Sequence, residues 1–182
     1  MLNTLNFCWR WLATAFSFFI FGVGGVILTL VVFPVLYCLP AKKIDREVKA
    51  KAIIHHTFRL YIEIMRKLGV LSYDIEGLSK LDNAQLVLAN HPSLIDVVFL
   101  IALIPNANCV VKGKLVKNPF TRSPVRTAGY IINENNENVL EEANASFTKL
   151  NALIVFPEGT RSVPESSIAL KRGAANIAVR TA

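Results

Sequence analysis

The chain has 182 residues, 53% of them hydrophobic and 18% charged, which supplies a core for one domain plus an appendage and excludes a disordered chain. Its 20 Lys and Arg against 13 Asp and Glu leave a net charge of +7, and a mean hydropathy of +0.43 is above that of a typical soluble domain. The excess is concentrated near the start.

From Trp11 to Ala41 a run of 31 residues carries no formal charge, and its centre reads LATAFSFFIFGVGGVILTLVVFPVLYCL. About 20 residues suffice to cross the hydrocarbon of a bilayer, whereas a cleaved secretory signal has an apolar core of only about 7 to 15. Membrane insertion is therefore expected. Arg10 precedes the run, while Lys42, Lys43, Arg46, Lys49 and Lys51 follow it, an imbalance that places the rest of the chain on the cytoplasmic side. Gly22, Gly24, Gly25 and Pro34 interrupt the run, so a tilted span and a re-entrant hairpin both stay open. Residues 1–43 are thus read as a membrane anchor. Beside such a segment the net positive charge suits anionic lipid headgroups, and no nucleic-acid partner is expected.

Residues 44–68 read as an amphipathic helix, with Ile54, Phe58, Tyr61, Met65 and Leu68 at alternating spacings of four and three, and Gly69 as its stop. That pattern fits a helix on a membrane surface as well as one that covers the domain's own core, the commoner case. His55 and His56 project about 100° apart on a helix, poor geometry for sharing a metal, and are expected at the surface.

Residues 69–182 read as one α/β domain. Strands are predicted at Leu71–Ile75, Gln85–Ala89, Cys109–Lys112, Tyr130–Ile132 and Ala152–Phe156, with helices at Ser93–Leu103, Val116–Thr127 and Asn135–Leu150. QLVLA and ALIVF are near-continuous apolar runs of the buried-strand type. Alternating strands and helices imply a mixed, mostly parallel sheet flanked by helices, with ligands beyond the carboxyl ends of the strands. Cys8, Cys38 and Cys109 are too dispersed for a metal site or a disulfide framework, and read as small packing residues in a reducing compartment.

Two loops follow the buried-type strands. After QLVLA comes Asn90-His91-Pro92-Ser93-Leu94-Ile95-Asp96, where Pro92 suits the first turn of a helix and keeps His91 outside it. His91 and Asp96 then converge, and an imidazole held through one nitrogen by a carboxylate can take a hydroxyl proton on the other. The bland alternative is a satisfied histidine beside an aspartate capping the helix dipole. Ser93 as a nucleophile has poor geometry so close to its base. After ALIVF comes Pro157-Glu158-Gly159-Thr160-Arg161-Ser162, an arginine fork and a turn glycine suited to an anion. It lacks both the phosphate-loop spacing and a serine-hydrolase elbow.

NHPSLID, followed 67 residues after His91 by the Glu of FPEGTRS, resembles the glycerolipid acyltransferase family that includes the lysophosphatidate acyltransferases. VKGKLVKNPF and LKRGAANIA are similar to two weaker blocks of that family in the same order. The resemblance runs from about Leu71 to the end of the chain. It implies transfer of a fatty acyl group from a thioester, on acyl carrier protein or coenzyme A, to the free hydroxyl of a lysophospholipid, by default 1-acyl-glycerol-3-phosphate to give phosphatidate. His91 would be the general base and Asp96 its orienting partner, while Glu158, Gly159, Thr160 and Arg161 would bind the acceptor's glycerol phosphate with help from Lys112. No metal and no resident cofactor are implied, and the expected setting is the cytoplasmic face of a bacterial inner membrane. Thr121-Arg122 and Asn133-Glu134 depart from the family's usual residues and leave the acceptor open to another lipid or glycolipid. The family also continues past the helix at which this chain stops, so a truncated domain with an unpaired sheet edge is expected, and a non-catalytic protein of the same fold is the rival reading.

Overall fold

The computed structural model describes residues 2–134, 136–149, 151–159 and 170–180. Helix α1 (Leu2–Ile27) continues through a π-helical segment (Leu28–Val32) into α2 (Phe33–Cys38) without turning back. Pro34 accounts for the π segment. Its ring cannot donate to the carbonyl four residues earlier and would collide with it, so the ladder widens and Phe33 N–H donates to Leu28 O, five residues back. The hairpin alternative therefore does not form, and Thr4–Cys38 is one helix long and apolar enough to cross a membrane.

Helix α3 (Lys43–Lys67) returns antiparallel along the whole of that helix. Trp9 Nε1 donates to Leu68 O at 3.0 Å near one end, the Phe21 ring meets Tyr61 at 5.2 Å midway, and Phe33 and Leu36 share a core with Ala50 and Ile54 at the other end. The inward stripe of α3 also packs on α4 (Ile95–Leu103), Tyr61, Ile62 and Met65 meeting Val98 and Ala102. Its apolar face thus covers the domain's own core. His55, expected at the surface, is instead buried, because it lies on the stripe facing α4 and its Nδ1 pairs at 2.8 Å with the carbonyl of Ile101 near that helix's end.

The sheet contains β1 (Leu86–Leu88), β2 (Ala107–Lys112), β3 (Ile131–Asn133) and β4 (Ala152–Val155) in the order β1-β4-β2-β3, with every pairing parallel. Central β4 is buried throughout. Its Ile154 faces the cluster shared with α3 and α4, and its Leu153 and Val155 face α7 (Asn136–Thr148) and α8 (Arg172–Arg180). Strand alternation thus supplies the inner surfaces of a three-layer helix–sheet–helix stack.

Two elements differ from expectation. Leu71–Ile75 pairs with no strand among the described residues: Leu71 joins the Met65 cluster, Tyr73 meets Phe99 edge-on at 5.0 Å, and Ile75 is exposed. The helix expected over Val116–Thr127 is split into α5 (Lys114–Lys117) and α6 (Pro119–Thr127). Asn118 is extended between them and accepts the Phe120 N–H on its side chain, a cap that lets Pro119 occupy the first turn of a new helix.

Candidate active site

A parallel sheet brings all its strand carboxyl ends to one rim, and the order of this one sets the end of β1 beside the end of β4. The chain leaves β1 through Ala89 and Asn90, Pro92 keeps the residue before it, His91, out of the helix, and α4 begins at Ile95, two residues later than expected, with Asp96 in its first turn. The Asp96 carboxylate then reaches back. Its Oδ2 accepts the Ser93 backbone N–H at 2.6 Å and lies 3.2 Å from His91 Nδ1, while its Oδ1 accepts the Ser93 hydroxyl at 2.9 Å. Capping and imidazole pairing, opposed as alternatives in the sequence, are carried out by the same carboxylate. With Nδ1–H donated to Asp96, the tautomer so set leaves a lone pair on Nε2.

The β4 side closes the corner. The His91 ring lies on Phe156 at 4.4 Å between centroids and 32° between planes, and His91 N–H donates to Glu158 Oε1 at 3.2 Å. Glu158 is only 7% exposed, so its carboxylate ties the loop after β4 to the loop after β1 as well as lining the rim. Phe156 O accepts the Gly159 N–H at 3.0 Å, and Gly159 sits at φ +65°, a left-handed conformation that glycine adopts without a Cβ penalty. A side chain there would also lie 2.9 Å from Lys171 Nζ, because Lys171 lies across this turn and donates its own N–H to Pro157 O at 2.8 Å.

Lys112 ends β2 at the same rim, exposed, one strand beyond β4. His91, Asp96, Glu158, Gly159 and Lys112 are thus gathered along one sheet edge, while Thr160 and Arg161 lie outside the described residues. Sequence reasoning missed the Asp96-orienting hydroxyl of Ser93, the Phe156 platform and Lys171. In the sequence Phe156 is only the last apolar residue of its run, and Lys171 lies within LKRGAANIA with nothing to tie it to the turn at Gly159. Among the described residues no group of three or more His, Cys, Asp or Glu could hold a metal ion.

The chain is similar to known acyltransferases. A 1-acyl-sn-glycerol-3-phosphate acyltransferase of Cocos nucifera is 32% identical over 114 residues, 59% of this chain and 37% of that protein. One from Helicobacter pylori strain J99 is 32% identical over 113 residues, covering 58% and 48%. The chain therefore spans less than half the length of these curated relatives. The crystal structure of the 1-acyl-sn-glycerophosphate (LPA) acyltransferase PlsC from Thermotoga maritima superposes with a TM-score of 0.69 at 22% identity over 94% of this chain and 70% of that one, a likeness of fold. The Acyltransferase family model matches residues 70–182, more than half of the chain and all of the rim, and on that match the protein belongs to the acyltransferase family.

Proposed function

We propose that this chain transfers a fatty acyl group from a thioester of coenzyme A or acyl carrier protein to the free hydroxyl of 1-acyl-glycerol-3-phosphate, giving phosphatidate at a membrane surface. The observation that carries the reading is the pairing of His91 Nδ1 with Asp96 on a corner that Glu158 ties to the loop after β4. His91 Nε2 takes the acceptor's hydroxyl proton as that oxygen attacks the thioester carbonyl. The tetrahedral adduct collapses with cleavage of the carbon–sulfur bond, and the departing thiolate takes the proton back from the imidazolium. No enzyme nucleophile is required, because the thioester is already activated.

Holding the acceptor is the task of the rim. Lys112 and Arg161 are the cations for its phosphate, and Glu158, Gly159 and Thr160 line its glycerol. Fixing the headgroup while the acyl tail remains in lipid converts an encounter into a positioned reaction, which in well-oriented systems lowers barriers by several kcal/mol. The apolar helix through α1 and α2 supplies the attachment to lipid, with the active site on the cytoplasmic face of a bacterial inner membrane.

A second acceptor class has one observation in its favour. Glu134, which follows β3, rests its side chain against Gly113 next to Lys112, so close that a Cβ on Gly113 would lie 2.6 Å from Glu134 Cγ. An acid at that place disfavours a phosphate and suits a neutral or aminated headgroup. Acyl transfer by the membrane-reconstituted protein, assayed on a panel of lyso-lipids with each thioester donor, decides the matter. Fastest turnover on lysophosphatidate supports the first reading, preference for a phosphate-free acceptor supports the second, and no transfer to any acceptor overturns both.

A further inference from the structure

We propose that α5 and α6 form a second membrane contact, a face for anionic lipid headgroups that holds the sheet rim against the bilayer beside the apolar helix. The proposal extends the lipid-acylation reading by giving the rim a fixed place at the lipid surface. From Lys112 to Asn133 the chain contains no acid, and Lys114, Lys117, Arg122 and Arg126 are all exposed. Among these cations Leu115 is 39% and Phe120 59% exposed, and they join the exposed apolar surface of the adjacent helix.

The face is continuous with the apolar helix. Thr29, in the π-helical segment, donates its hydroxyl to the Phe120 carbonyl at 2.9 Å, and the neighbouring Leu30 and Val31 are themselves exposed. Asn118 caps the start of α6 and fixes Phe120 in that position. At its other end the face begins at α5, two residues after Lys112 on the rim, where Glu134 is the acid lying nearby against Gly113. Apolar side chains ringed by cations and joined to a lipid-seeking helix match a bilayer with anionic headgroups. An acidic carrier protein would use the cations but leaves Phe120 and its junction with the apolar helix unexplained.

The experiment uses the full chain with Cys8→Ser and Cys38→Ser and one new thiol, at Phe120→Cys or at Leu30→Cys, carrying an environment-sensitive fluorophore. The protein is reconstituted into vesicles of phosphatidylcholine with phosphatidylglycerol, with plain or brominated acyl chains. The expected result is quenching by brominated chains at position 120 as well as at position 30, reduced at least about five-fold at position 120 by combined Lys114→Glu, Lys117→Glu and Arg122→Glu, with position 30 unchanged. Quenching at position 30 but none at position 120 overturns the proposal. So does a label at position 120 that responds to added acyl carrier protein and not to brominated lipid. The readout needs no turnover, so its failure is separate from any failure of the acylation reading.

Discussion

Asp96 accepts from three donors at once, the Ser93 N–H, the Ser93 hydroxyl and His91 Nδ1, and this sharing separates the residues of the corner by role. His91→Ala removes the proposed base and should lower kcat by about 100-fold to 10,000-fold with membrane insertion unchanged, measured as acyl transfer in reconstituted vesicles. Near-normal turnover would remove His91 from the mechanism. Ser93→Ala deletes one hydroxyl bond to Asp96 but keeps the backbone bond, a loss of about 1 kcal/mol, so turnover should fall by no more than about ten-fold. Inactivation as complete as that of His91→Ala would instead revive Ser93 as a nucleophile. The convergence of His91 with Asp96 was legible in the sequence because Pro92 keeps the preceding His91 out of the helix. The grip of Glu158 on the His91 backbone was not, since it exists only where two strands far apart in the chain lie side by side in the sheet.

Among the elements, the apolar runs were readable as strands, but their place in the sheet was set by neighbours. ALIVF became the buried central strand its pattern implies, whereas QLVLA, read as the same buried type, lies at the sheet edge with Leu88 exposed, and Leu71–Ile75, for all its strand-like composition, joins no strand among the described residues. The foot of the sheet holds a charge that no pattern revealed. Lys51 of α3 is 3% exposed and donates to Asn151 Oδ1 at 3.0 Å, just ahead of β4. Burial lowers its ammonium pKa to about 8, with Lys149 adding to the effect and Glu47 opposing it. The unfolded chain therefore binds more protons than the folded one between about pH 8 and the ordinary lysine value of 10.5, and stability increases with pH in that window. Burial pushes Cys109 the opposite way, up to about 12 from 9.0, so its contribution declines once pH passes 9.0. Tyr130, raised by burial and by Cys109, declines in the same manner above 10.0. Urea unfolding in mild detergent should accordingly show stability increasing by about 1 kcal/mol from pH 7.5 to 9 and levelling beyond it. Lys51→Met should flatten that rise, whatever its effect at a single pH, and an unchanged slope would show that Lys51 is hydrated and charged in the folded protein.

At the scale of the whole molecule, the apolar helix cannot be placed in a membrane independently of α3, because the two touch from Trp9 beside Leu68 to Phe33 and Leu36 beside Ala50. A perpendicular crossing would carry Arg59, Glu63 and Arg66 of α3 toward the hydrocarbon, where a charge at mid-bilayer costs about 3 kcal/mol on insertion scales and more by other measures. Lying along the surface avoids that cost and still buries Phe18, Phe19 and Leu30, each more than 60% exposed, in acyl chains. The native cysteines distinguish the two placements. Cys8 and Cys38 are exposed near opposite ends of the continuous helix, and at 1.5 Å per residue they stand about 45 Å apart, beyond the roughly 30 Å of a hydrocarbon core. In sealed vesicles a membrane-impermeant maleimide should reach both thiols from the side that exposes the α/β domain, while Cys109, buried in the sheet, stays unlabelled. Labelling of Cys8 and Cys38 from opposite sides would establish a span, and α3 would then need a polar environment within the bilayer that the charges on its outer face could share.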